Sequence, residues 1–256
     1  MSGPARASDR RPLDGAALAL TFLTVIPIRP RRGAAPDLGR AAVWFPAIGA
    51  LVGLLAGAVR AYSAALFGPA VASVLALVVL VAVTGALHQD GLADCADGLG
   101  VHGDRERRLA VMRDAAIGAF GTLALLGWAL LLLGALATLS DHAALRTLVT
   151  AAMVARWAAL VHASATAPAR PDGLGASFAV ARAPLVVASA ATIVAAVLID
   201  GPVDGLASVA AGAAVAGAAS AWARRAVGGR TGDTLGATVA LAEVAVCLTL
   251  LAFATA

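Results

Sequence analysis

The sequence predicts an all-α, polytopic membrane protein of about seven transmembrane helices preceded by a short re-entrant or interfacial segment. Three observations carry that expectation. The chain of 256 residues is 61% hydrophobic and only 13% charged. Its apolar runs repeatedly reach the roughly 18–20 residues with which an α-helix crosses a hydrocarbon layer about 30 Å thick. The runs are solid rather than alternating in polarity, which argues against a membrane β-barrel.

Taken in order, residues 1–13 are polar and Arg-rich and are expected to form a disordered tail, leaving 14–256 as a single integral membrane catalytic domain. The apolar piece from Ala16 to Ile28 is too short to span comfortably and has arginines on both sides, so its two ends should return to one face. The arginines after it and the lack of a small-x-small cleavage site argue against a signal peptide. Spans are expected near 41–60, 69–88, 117–139, 144–166, 184–200, 203–222 and 235–254. Gly49, Gly53 and Gly57 recur every four residues in the first of them, a flat strip suited to close helix packing.

Charge tests this arrangement. All 19 basic residues are Arg. The loops at 29–40, 89–116, 167–183 and 223–234 fall on one side and hold thirteen of them, whereas the opposite loops hold Arg146 and at most the boundary residue Arg60. The positive-inside rule therefore places the first set in the cytoplasm, as expected of a multi-pass protein of a prokaryotic inner membrane. The same rule accounts for the basic balance, so the lipid bilayer is an expected partner and nucleic acid is not. Cys95 and Cys247 share no CxxC spacing and suggest neither a disulfide framework nor a thiolate metal site. An oligomer is compatible with all of this.

One stretch resists the membrane explanation. Six of the fifteen acidic residues lie between Asp90 and Asp114. On a helix, Asp94 lies about 40° from Asp90 and Asp97 about 20° the other way, so HQDGLADCADG would present three carboxylates on one side. Like charges so placed are stable together mainly around a cation, and hard oxygen ligands suit Mg²⁺ or Mn²⁺. Magnesium held by few carboxylates completes its shell with water and phosphate oxygens, which points to a diphosphate substrate. Asp104 and Glu106, beside Arg105, Arg107 and Arg108, read instead as a solvated, salt-bridged face, and topology accounts for those three arginines. His88 falls about 160° from Asp90 and joins the acids only if the helix starts or distorts there; otherwise it is an interfacial histidine. Cys95 projects away from the acids as a packing residue. No Ser-His-Asp set and no GxxxxGK[ST] loop accompanies the stretch.

HQDGLADCADG at 88–98, followed by RRLAVMRDAAIGAFG at 107–121, resembles the signature of the cobalamin synthase family, the membrane-bound adenosylcobinamide-GDP ribazoletransferases. FLTVIP at 22–27, DLGRAAVWFPAIG at 37–49, ARWAALVHASATAPARPDGLGASF at 155–178 and GGRTGDTLGA at 228–237 extend the resemblance along most of the chain. The family often has a polar residue such as Ser after the aspartate of MRD, where this chain has Ala115.

The resemblance implies a magnesium-dependent transferase that joins adenosylcobinamide-GDP to α-ribazole, or its 5′-phosphate, and releases GMP. A ribose hydroxyl attacks phosphorus, and catalysis of that class rests on in-line positioning and charge neutralisation. Asp90, Asp94, Asp97 and Asp114 are then the expected catalytic and metal-binding residues, with Mn²⁺ as the alternative ion. Arg113, Arg156, Arg170 and Arg230 are candidates for the phosphates, because guanidinium donates paired hydrogen bonds. Arg156 and Glu243 lie inside apolar spans, where ionisable residues are functional by default. Glu243 is expected to be protonated, paired with an arginine such as Arg156, or cavity-lining. Asp233 is either a substrate group or a helix cap, and His88 completes the substrate set. Trp44, Trp128, Trp157 and Trp222 read as packing or interfacial anchors. A CDP-alcohol phosphotransferase is a weaker match, since DGLADCADG has Asp where that motif has Ala-Arg. A secondary transporter would put its functional charges near the midplane rather than in a loop.

Overall fold

A computed structural model describes residues 12–28 and 37–255. The expected tail therefore lies outside the described residues except for Pro12 and Leu13, which already belong to the first helix. Among the described residues the fold is all-α, with one isolated bridge between Pro168 and Arg230.

Helix α1 (Pro12–Leu23) has 12 residues, about 18 Å at 1.5 Å per residue, and so cannot cross a bilayer. Its Ala19 and Leu23 pack with Ala41, Ala42, Phe45 and Ile48 at the start of the next helices. Just beyond it, Val25 N–H donates to Val83 O at 2.8 Å, so the chain is held beside the end of the second span instead of continuing across.

Helix α2 (Leu38–Ala41) is capped by the Asp37 carboxylate and runs through one 3₁₀ turn into α3 (Phe45–Thr84). By length and composition, six helices among the described residues can cross a membrane, the first being the 47-residue unit Leu38–Thr84. That unit is two spans. Gly68 takes φ 77° and ψ 164°, with Pro69 following. Across this break Arg60 Nε donates to Ser73 Oγ at 2.9 Å. Thirteen residues of unbroken helix would separate those positions by about 20 Å, so the chain doubles back. The turn between α9 (Arg182–Asp200) and α10 (Pro202–Ala226) repeats the device, with Gly201 at φ 88° and ψ 169° before Pro202. The remaining spans are α6 (Ala119–Thr138), α7 (Asp141–Ala165) and α11 (Gly232–Ala254). Counting both limbs of α3, the seven expected spans are present.

Helix α7 is the core helix, with 78% of its apolar window buried. The strip Gly49, Gly53 and Gly57 lies against it: a β-carbon at Gly49 would sit 2.3 Å from Ala152 O, and one at Gly53 2.2 Å from Leu148 O. The glycine strip is packing, as expected. On the far side of the bundle Arg60, wholly buried, reaches Asp141 at 2.8 Å and ties the first hairpin to α7.

The second span ends earlier than expected. Gly85 and Ala86 are both left-handed (φ 60° and 59°). Ala86 N–H returns to Val81 O and Gly85 N–H to Ala82 O, a Schellman stop. A new helix, α4 (Leu87–Gly100), starts immediately and carries the acidic motif. Short helices α5 (Arg105–Val111) and α8 (Leu174–Ser177) complete the Arg-rich face.

Candidate active site on the Arg-rich face

Helix α4 is amphipathic along its length. His88, Leu92 and Cys95 are buried, Asp90 is exposed, and Asp94 and Asp97 are half-buried. Arg108 Nη1 donates to the carbonyls of Gly98 and Leu99 at 3.0 and 3.3 Å, satisfying the open end of the helix. The start of α11 lies against the middle of α4 because Gly91 has no side chain; a β-carbon there would be 2.6 Å from Asp233 O.

This contact brings Asp233 to the acids of α4. Thr231 caps α11: its Oγ1 accepts from Thr234 N–H at 3.1 Å, and Thr234 Oγ1 accepts from Thr231 N–H at 2.9 Å. The cap belongs to Thr231 and not to Asp233, which is left in the first turn, where negative charge is favoured. Asp233 Oδ2 accepts from Thr231 Oγ1 at 3.1 Å and lies 3.6 Å from Arg170 Nη2. Burial first, then the charges of Asp90, Asp233 and Asp97, push the Asp94 carboxyl from 3.8 up to about 7. Asp90, Asp97 and Asp233 thus all lie close enough to act on Asp94, across α4 and α11.

They are not equivalent. Asp97 accepts from Gly118 N–H at 2.7 Å through Oδ2 and from Gly121 N–H at 2.9 Å through Oδ1, closing the N-terminus of α6. Asp114 stands apart: it is exposed, its Oδ1 accepts from Ala116 N–H at 3.0 Å, and it is not among the charges acting on Asp94. Among the described residues no three His, Cys, Asp or Glu side chains are gathered into a ready metal cage. The donor chemistry nevertheless suits a hard cation bound through a few carboxylates, with water and phosphate completing its shell.

The arginines divide in the same way. Arg170 joins the cluster through Asp233. Arg113 is exposed and 3.8 Å from the equally exposed Asp172. Arg230 is buried and committed to the backbone, donating through Nε to Gly175 O at 2.9 Å and through Nη1 to Thr166 O. These bonds staple the 166–175 loop to the start of α11. Arg105, assigned above to topology, donates to Val227 O at 2.8 Å and to Ala169 O, holding α5 on the same loops.

Deeper in the bundle, Arg156 Nη1 pairs with Glu243 Oε1 at 2.5 Å, with side-chain exposures of 1% and 2%. Arg156 Nη2 lies 3.5 Å from His88 Nδ1. His88 thus turns from the acids toward α7, as the roughly 160° between it and Asp90 within α4 requires. Burial pushes the Cys95 thiol up, consistent with a packing residue.

Sequence reasoning missed Gly118 and Gly121 as the seat of Asp97, Arg108 and Arg105 as clamps, and the stacked set Phe22, Phe45 and Phe178. The GxxG spacing after MRD was the one available signal.

Residues 15–251 match the family described as cobalamin-5-phosphate synthase. The chain is 40% identical over 239 residues to an adenosylcobinamide-GDP ribazoletransferase of Geotalea daltonii, covering 92% of this chain and 96% of that protein. Bacterial relatives of the same name from Bradyrhizobium diazoefficiens and Rhizobium etli are 37% and 38% identical, covering 92% and 94% of this chain and 92% and 96% of their own. No solved structure matches. The motif-bearing helix, the acids it shares with α11 and these full-length relatives agree, and the chain belongs to the cobalamin-5-phosphate synthase family.

Proposed function

We propose that this chain is an adenosylcobinamide-GDP ribazoletransferase of the inner membrane, working on its cytoplasmic face. It would join adenosylcobinamide-GDP to α-ribazole or its 5′-phosphate and release GMP. The observation that carries the reading is the meeting of Asp90 and Asp94 on α4 with Asp233 on α11, beside Arg170. The thirteen arginines that the sequence assigns to the loops of that side support the orientation.

Asp90, Asp94 and Asp233 would hold Mg²⁺, or Mn²⁺, with Asp97 setting the position of α6 beside them. Once bound, such an ion neutralises charge on the diphosphate. Arg170 supplies a guanidinium to phosphate oxygens at the same edge, with exposed Arg113 available to the nucleotide. The ribazole hydroxyl forms the new O–P bond, its proton passes to a carboxylate of the cluster, and GMP leaves as its own O–P bond breaks. The chain's contribution is to hold the two substrates in line and exclude competing water. The match of residues 15–251 to one family does not favour a CDP-alcohol phosphotransferase or a transporter.

Purified protein given adenosylcobinamide-GDP, α-ribazole and Mg²⁺ should release GMP, and chelation should stop it. Folded protein that releases none in the presence of both substrates and the ion would refute the assignment.

A further inference from the structure

One helical turn below the acids lies a small cavity that the reaction as described leaves unused. Its wall is aromatic: Phe22, Phe45 and Phe178 stack with centroids 5.4–6.3 Å apart and planes 9–27° from parallel. Leu235 and its neighbours on α11 continue the apolar lining, and the only polar side chains facing in are His88 and Arg156. Both are almost wholly buried, at 3% and 1% exposure.

The buried pair defines what the cavity can recognise. A guanidinium has donors only, so His88 Nδ1, 3.5 Å from Arg156 Nη2, must turn its lone pair to the arginine. The hydrogen of the neutral ring then sits on Nε2, which makes no hydrogen bond to the described residues. The cavity therefore offers N–H donors and no acceptor, His88 Nε2–H beside the Arg156 guanidinium, set in a phenyl wall. A matching ligand is flat and apolar and carries a single ring-nitrogen acceptor.

We infer that this cavity seats the benzimidazole base of the ribazole, stacked on the phenylalanines with its free ring nitrogen accepting from His88 Nε2. The inference rests on the activity proposed above and adds the subsite for the acceptor. One ring nitrogen of a benzimidazole nucleoside is bonded to ribose, and the other has a lone pair and no hydrogen. Guanine carries an amino group and a ring N–H, donors for which this wall has no acceptor, and stripping them of water would be costly. The corrin ring is far too large.

Position agrees with chemistry. Gly232 and Gly236 line the cavity on either side of Asp233, and Leu87 and His88 line it just before Asp90. A base seated there holds its ribose beside Asp90 and Asp233, where the attacking hydroxyl is needed. The cavity measures about 40 Å³, space for about three waters, so the bicyclic ring enters as the phenyl wall parts. Phe22, on short α1, is the wall member outside the spanning bundle.

The test uses benzimidazole and indole, which share size and shape and differ in that one nitrogen. With the purified full-length chain, benzimidazole should inhibit competitively against α-ribazole and not against adenosylcobinamide-GDP, and indole should be about tenfold weaker, the loss of one buried hydrogen bond. His88→Ala should erase the difference between the two. Val239→Phe, filling the cavity from α11, should raise KM for α-ribazole about tenfold and leave KM for adenosylcobinamide-GDP unchanged. Equal potency of the two inhibitors, or competition with the other substrate, would overturn the inference. Failure of the broader reading looks different, as no GMP release by the wild-type chain. Calorimetric binding of benzimidazole against indole then still decides the cavity, and equal affinity or no binding rejects it.

Discussion

Asp97 and Gly118 meet at 2.7 Å, carboxylate Oδ2 against backbone N–H, and a β-carbon on Gly118 would lie only 2.4 Å from that carboxylate. Gly121 repeats the relationship one turn on, with its N–H on the other oxygen. The third aspartate of the acidic motif is thereby spent on the N-terminus of α6, where orphan amides and the helix dipole both favour an anion. Two motifs that look independent in sequence, the aspartates of α4 and the GxxG after MRD, form a single joint.

That joint predicts a division of labour among the aspartates. Asp97→Ala should destabilise the protein by about 1–2 kcal/mol, the range for losing a helix cap. Asp97→Asn, which keeps an acceptor, should retain most of the stability and the wild-type Mg²⁺ dependence. Gly121→Ala should mimic Asp97→Ala, because its methyl would displace the carboxylate. Asp94→Asn should cost no stability and abolish GMP release. Thermal unfolding in detergent alongside Mg²⁺ titrations of activity separates the two classes, and an Asp97→Asn protein that needs far more Mg²⁺ would return Asp97 to the metal.

The Asp94 carboxyl, pushed up to about 7, predicts competition between protons and the cation. Folded protein without metal holds a proton there that the unfolded chain, at 3.8, has already lost. The contribution to stability is therefore complete below about 4 and lost as pH rises through about 7. Metal-free wild type should lose melting temperature between about pH 4 and 7, and Asp94→Asn should flatten that decline. Mg²⁺ affinity should move the opposite way, strengthening as pH rises through about 7, with protons released on binding. A pH-independent Mg²⁺ affinity across that range would refute the coupling.

The spans, the packing role of the Gly49–Gly57 strip and the placing of acids and arginines on one face were all legible in the sequence, because hydropathy and charge asymmetry are averaged over many residues. The site was legible only in part. That Asp233 belongs with Asp90 and Asp94 depends on a backbone contact at Gly91, across more than a hundred residues of chain. That Arg230 and Asp97 bind backbone follows from where loops and helix ends fall. Residue type names the chemistry a side chain can do; tertiary contact decides whether a substrate or the protein's own amides and carbonyls receive it. His88 illustrates the point: helix α4 turns it away from the acids, and only the packing of α4 on α7 shows that it meets Arg156.

The Arg156–Glu243 pair predicts an asymmetric mutational response. Removing one buried partner strands the other charge, at a cost of about 3–5 kcal/mol, whereas replacing both with apolar residues can be neutral. Glu243→Gln should therefore lower the melting temperature sharply, and Arg156→Met/Glu243→Leu should recover it. The double variant should still be impaired in turnover, since Arg156 also orients His88. A single variant as stable as wild type would show that the pair contributes nothing to the fold.

The last prediction concerns the hairpins. Gly68 and Gly201 share a backbone conformation that side chains rarely adopt, and beyond its chain neighbours neither has an atom within 4 Å of where a β-carbon would stand. Sterics with neighbours are thus absent, and any penalty must come from the backbone itself. Gly68→Ala and Gly201→Ala should each destabilise by about 1–3 kcal/mol. Gly217→Ala, equally open but helical, should be neutral or slightly stabilising because alanine is the better helix former. The proline that follows each turn residue presets the next helix at its first position, so Pro69→Ala should cost less than Gly68→Ala. If alanine at 68 were tolerated as well as at 217, the reversal that brings Ser73 back to Arg60 would not depend on the left-handed turn.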